Sequence, residues 1–181
     1  MESLRFATLA FKTVVVHTVT YFVAGILAYN LGNYEKTFAE PPLSLFMRPT
    51  SDPLVMAGVL FQPIRGLIFA AALFPLREVL FARPNGWLAL WWLLVAVGIL
   101  STFGPAPGSV EGLVYTIIPP STQILGLWEV LLQSLLLSAL LCYWVRHPQK
   151  RSLNWTLPAA FVLVMLLPIL GLLAAGLTAA R

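Results

Sequence analysis

Apolar residues in this chain gather in runs close to twenty long, and that spacing leaves few ways to fold. A soluble helix buries one stripe and keeps its other faces polar, whereas a run apolar on every side belongs in a bilayer. Five such runs are read along the 181 residues, at about 13–31, 54–76, 86–103, 123–145 and 155–178. Each has the length to cross ~30 Å of hydrocarbon at ~1.5 Å per residue. The expectation is an all-α polytopic helical bundle, a single transmembrane domain over residues 1–181. Composition agrees: 10% of residues are charged, against about 25% in a soluble domain, and the mean hydropathy is +0.86.

The charges orient the bundle. With the N-terminus in the cytoplasm, cytoplasmic segments hold Arg5, Lys12, Arg77, Arg83, Arg146, Lys150 and Arg151, and the other side holds Lys36, Arg48 and Arg181. That asymmetry follows the positive-inside rule and predicts the C-terminus outside, in a plasma (inner) membrane. Glu35, Glu40, Asp52 and Glu111 fall on the outer side. The first run is longer than the apolar core of a signal peptide, so an uncleaved first span is expected. The pI of 9.6 comes with no basic patch that would suit a nucleic acid. Lone Cys142 excludes an intrachain disulfide.

Two outer connections, 32–53 and 104–122, carry most of the irregular chain. Prolines 41, 42, 49 and 53 rule out a continuous helix in the first. In the second, the residues from Ser109 to Ile118 predict a short helix with Ser109 capping its free amides. Its apolar content places it along the membrane surface. The alternative, a re-entrant dip, requires protein or water to satisfy the backbone.

Within this setting Arg65 stands near the middle of the second run. A mid-span arginine costs from ~2.5 to more than 10 kcal/mol unless paired or hydrated. Gln62 and Arg65 are three apart, Glu129 and Gln133 four apart, so each pair is read onto one helix face. These four form the expected intramembrane polar centre, with Arg65–Glu129 its natural ion pair. Pro63 predicts a kink or local opening beside them. His17 and Tyr21, four apart in the first run, are secondary candidates, as is Glu111. His17 is expected to bond a neighbouring hydroxyl. A haem held with His147 is disfavoured, because the two histidines fall at different depths. Trp87 and Trp91 fit an interfacial belt. Arg77, Arg83, Arg146, Lys150 and Arg151 are expected at lipid headgroups, in clusters too small to specify a lipid. Pro168 is expected to kink the last run. Beyond it Gly171, Ala175 and Ala179 recur every four residues, a smooth face for helix packing, within the bundle or between subunits.

No nucleophile–His–acid set, His-Glu-x-x-His pair, Gly-rich phosphate loop or cysteine pair appears. No catalytic residue, metal ligand or cofactor is therefore predicted. The leading expectation is a non-catalytic accessory, scaffold or pore-lining subunit of a membrane assembly, whose partners are the lipid bilayer and other copies or subunits. The alternatives are a carrier or channel for an anionic or protonatable solute, using Arg65 and Glu129, and a membrane enzyme with outer-loop groups around Glu111.

Overall fold

The computed structural model describes residues 4–179, with side chains to Ala174. Among the described residues it is helical with no strand. The main helices are α1 (Phe6–Leu31), α4 (Gln62–Leu73), α6 (Gly86–Val95), α8 (Pro120–Arg146) and α9 (Arg151–Ala179). Short helices α2 (Tyr34–Ala39), α3 (Pro53–Met56), α5 (Arg77–Ala82) and α7 (Val110–Tyr115) lie in the connections. Four helical segments are long and apolar enough to cross a membrane: Phe6–Leu31, Pro53–Leu73, Pro120–Arg146 and Arg151–Ala174.

The expected third run is shorter than read. Helix α6 has ten residues, then five in a π turn ending at Leu100 rather than Phe103. Together they rise ~22 Å. The Ser101 amide reaches back to the Ala96 carbonyl, which widens the last turn and closes the helix.

The second run carries the local opening expected at Pro63. Its first part is α3, followed by a 3₁₀ stretch Ala57–Phe61 that leads into α4. Proline has no amide hydrogen to give the Val59 carbonyl. The Gln62 amide takes that carbonyl instead, one residue early, which is the tighter 3₁₀ pattern.

Helix α1 is the hub, packed against α4, α8 and α9. At Gly66 a Cβ would stand 2.8 Å from the Val14 Cα, so the missing side chain is what lets α4 lie against α1. Contacts fix the directions. Phe6 at the start of α1 meets Phe74 at the end of α4. Lys12 meets Trp144 near the end of α8, and Asn154 near the start of α9 meets Trp144. Trp91 of α6 reaches Leu131 of α8. Met56 meets Gly171 of α9 at the far end. The helices therefore alternate in direction, and Arg5, Lys12, Arg77, Arg83, Arg146, Lys150 and Arg151 gather at one end.

That basic end holds the core: Leu9, Val15, Leu80, Phe81, Leu141 and Trp144 are buried there. It is also where the helix termini are satisfied. The last four carbonyls of a helix lack intrahelical donors. Lys12 Nζ donates to the Trp144 carbonyl at 2.8 Å, with the ammonium 5.1 Å from the Trp144 ring centroid. A cation at a helix C-terminus also complements its dipole. Arg146 donates from Nε to the Phe81 carbonyl at 3.1 Å and from Nη1 to the Pro84 carbonyl at 2.8 Å, closing the turn after α5. Thus Lys12, expected as a topology charge, is buried and caps α8.

Of the proposed small-residue face, Gly171 packs toward Met56 of its own chain. Ala175 and Ala179 lie outside the described side chains. Helix α9 runs through Pro158 and Pro168 as one element.

Candidate functional site

The polar residues singled out within the spans lie from mid-depth toward the end opposite the basic one, along α1, α4 and α8. Gln62 and Gly66 are one turn apart and both face α1. Gln62 is buried, and its Oε1 lies 3.1 Å from Nε2 of the fully buried His17. Gln62 Nε2 donates to the Gly58 carbonyl at 3.0 Å, so its Oε1 is the acceptor and His17 Nε2 the donor. His17 is then the Nε2–H tautomer. Its Nδ1, a bare acceptor, is buried without a partner among the described residues, as are the hydroxyls of Thr13 and Thr18. The partner of His17 is an amide, not the expected hydroxyl. Its ring also meets Phe69 edge-on at 4.9 Å and lies 6.3 Å from Tyr21.

Arg65 does not share the burial of Gln62. One residue before Gly66, it sits about 100° around the helix from the face that meets α1, and its side chain is exposed. The guanidinium carbon lies 5.6 Å from the Phe69 ring centroid, a cation–π contact. Among the described residues Arg65 makes no ion pair and no side-chain hydrogen bond; the ion pairs are Lys36–Glu40, Arg48–Asp52 and Arg77–Glu78.

The expected Arg65–Glu129 bridge is therefore not formed. Glu129, half-buried on α8, instead accepts a hydrogen bond from the Tyr34 hydroxyl of α2. The chain turns back sharply after α1: Asn33 takes a left-handed conformation at φ 46°, and Thr37 Oγ1 bonds the Gly32 carbonyl. This turn places Tyr34, stacked on Phe38 at 4.8 Å, over α8. Burial, then the carboxylate beside it, raise the Tyr34 phenol above its ordinary value. Tyr21 lies on α1 one turn beyond His17 and is half-buried. Gln133 is half-buried one turn along α8 from Glu129. The result is a flank, not a closed pair: an exposed cation on α4, a hydroxyl on α1, and a carboxylate held by a tyrosine on α8. Such a flank can receive a carboxylate or other anion at Arg65 while Glu129 stays engaged.

The second outer connection is self-contained. Ser109 caps α7 as expected, accepting from the Gly112 amide at 2.9 Å. Gln123, not singled out in the sequence, ties the loop to α8. Its Oε1 accepts from the Gly108 amide at 3.0 Å, and its Nε2 donates to the Ile118 carbonyl at 2.8 Å, with Gly112 and Thr116 oxygens at 3.2 Å. Glu111 on α7 is half-exposed and joins neither this network nor an ion pair among the described residues. His147, at the end of α8, donates from Nδ1 to the Tyr143 carbonyl at 2.8 Å. No group of three or more His, Cys, Asp or Glu among the described residues is arranged to hold a metal ion.

The signal missed in the sequence was Tyr34, which lies in a proline-rich connection and carries no motif. No family model, curated protein or solved structure matches this chain.

Proposed function

We propose that this chain is an integral membrane protein that crosses the bilayer five times, with its basic end cytoplasmic, and serves as a non-catalytic subunit of a membrane assembly. The carrying observation is Arg65: a guanidinium about midway along Pro53–Leu73, exposed on the bundle surface and without an anionic partner among the described residues. Facing lipid at that depth it costs from ~2.5 to more than 10 kcal/mol. A neighbouring helix, from another copy or a different subunit, relieves that cost by presenting a carboxylate or free carbonyls over α4. The grouping of seven cations at one end supports the orientation, and the alternating helix directions support a fifth crossing at Gly86–Leu100.

Native mass spectrometry after gentle extraction from the source membrane tests this. The expected result is an assembly larger than one chain that Arg65→Gln dissociates, while helix content and melting temperature of the isolated chain stay unchanged. A fully functional monomer overturns it.

A second reading rests on the flank itself. Arg65, Tyr21 and Glu129 line one side of the bundle, which suits a carrier for an anionic or protonatable solute. Under that reading the protein is active as a monomer, and Arg65→Gln abolishes flux without altering the fold.

A further inference from the structure

At the basic end, a groove of about 340 Å³ opens between the turn before α6 and the last turns of α8. That volume lies in the lower range of small-molecule sites, ~300–1,000 Å³. Trp87, Ala139 and Cys142 form its apolar part, while Tyr143, Arg146 and His147 complete it toward the helix end. Lys150 stands at the mouth: its Nζ meets the Tyr143 hydroxyl and lies 4.7 Å from the ring centroid. The groove is thus apolar along the helices and cationic where they end.

The cations here have no acid to answer them. The three ion pairs among the described residues do not include Arg83, Arg146, Lys150 or Arg151. Arg146 uses Nε and Nη1 on backbone carbonyls and its Nη2 is buried, without an acceptor among the described residues, so the guanidinium charge is not neutralised and its outer edge at Nη1 faces the groove's mouth. His147 donates its Nδ1 proton to the Tyr143 carbonyl, and the fixed positive charge beside the groove belongs to Arg146 and Lys150.

We propose that this groove binds a phosphate-bearing amphiphile, an anionic phospholipid whose phosphate is met by Arg146 and Lys150 and whose upper acyl chains lie along Trp87 and Ala139. The shape carries the apolar half of the assignment and the uncompensated charge carries the polar half. A polybasic segment alone attracts anionic lipid with ~1 kcal/mol per cation; the groove adds a place for the chain and so selects one bound molecule from the surrounding film. This site is independent of Arg65, which lies on another face and at another depth.

The test is native mass spectrometry of delipidated protein in mild detergent, titrated separately with phosphatidylglycerol, phosphatidylcholine and inorganic phosphate. Phosphatidylglycerol is expected to bind at a stoichiometry of one, about tenfold more tightly than phosphatidylcholine. Ala139→Trp, which fills the apolar part, and Lys150→Glu, at an exposed position, are each expected to abolish that preference. Circular dichroism and melting of both variants establish that they are folded. Equal retention of the two lipids by the unaltered protein overturns the proposal, as does a folded Ala139→Trp variant that retains phosphatidylglycerol unchanged. Binding of inorganic phosphate that competes with the lipid and survives Ala139→Trp assigns the cations to a soluble phosphate and overturns the lipid assignment.

Discussion

The two ends of this bundle solve the same problem in opposite ways. At the basic end two long cationic side chains are turned inward onto backbone carbonyls: Lys12 onto Trp144, Arg146 onto Phe81 and Pro84. Large apolar residues are buried around them. At the other end the helices carry exposed apolar side chains, among them Leu31, Ile124 and Leu125. Polar residues there are gathered on a flank, and short helices α2 and α7 are held by single side chains, Tyr34 and Gln123. One end closes helix termini with long side chains over a buried apolar core, while the other has no such core. The difference teaches how far a substitution reaches: through the whole bundle at the basic end, and locally at the other.

Matched glycines give the largest effect. A Cβ at Gly86 would stand 1.7 Å from the Leu80 carbonyl oxygen, and one at Gly112 would stand 1.9 Å from that of Ala106. The clashes are alike but their surroundings are not. Gly86→Ala is expected to destabilise the whole bundle by 3 kcal/mol or more, at the upper end of the ~1–3 typical of overpacking, read as loss of folded protein on extraction. Gly112→Ala is expected to loosen α7 locally and leave the melting temperature within a few degrees. Equal global losses for the two would erase the distinction between the ends.

Next comes Lys12→Met, which keeps most of the side chain's length but removes the cap. An unsatisfied buried carbonyl costs ~1–3 kcal/mol, so a fall in unfolding free energy of about 2 kcal/mol is expected. An unchanged value would mean that Lys12 is only an orientation signal.

Tyr34→Phe should cost about 1 kcal/mol, confined to the open end and visible as faster amide exchange in α2. The phenol is raised in the folded protein, so its contribution is complete below the ordinary tyrosine value near ~10 and is lost as pH climbs through the higher folded value. Absorbance titration should find one fewer late-ionising tyrosine in the variant.

The smallest effect belongs to Asp52. It accepts from the Leu54 amide at 2.8 Å and pairs with Arg48 at 2.9 Å, which lowers its carboxyl below the ordinary range. Any stability it lends is present above pH ~4 and lost as pH falls through the lower folded value. Asp52→Asn should flatten that acid limb slightly; an unaltered acid limb shows the cap contributes nothing measurable.

Local features were legible in the chain. The cap at Ser109 and the opening at Pro63 follow from residues within a turn of each other, and apolar runs announce the long helices. What sequence reasoning missed shares one property, distance along the chain. His17 meets Gln62 across 45 residues, Tyr34 meets Glu129 across 95, and Lys12 meets Trp144 across 132. Depth placed Arg65 and Glu129 near each other but could not reveal that Tyr34 already holds the carboxylate. Three-residue spacing put Gln62 and Arg65 on one face. It could not tell that α1 lies close enough at Gly66 to bury the first and leave the second outside.

The Lys12–Trp144 contact also has a meaning in time. A ribosome moving at ~5–20 residues per second delivers Trp144 on the order of ten seconds after Lys12. In the orientation proposed above, the first helix has no carbonyl waiting for its ammonium through that interval, and anionic headgroups of the membrane face on which it was made would hold the charge. Only when the end of α8 arrives can the ammonium leave the lipid surface and enter the bundle. In that orientation the same charge would first anchor the growing chain and then mark the moment its core can close.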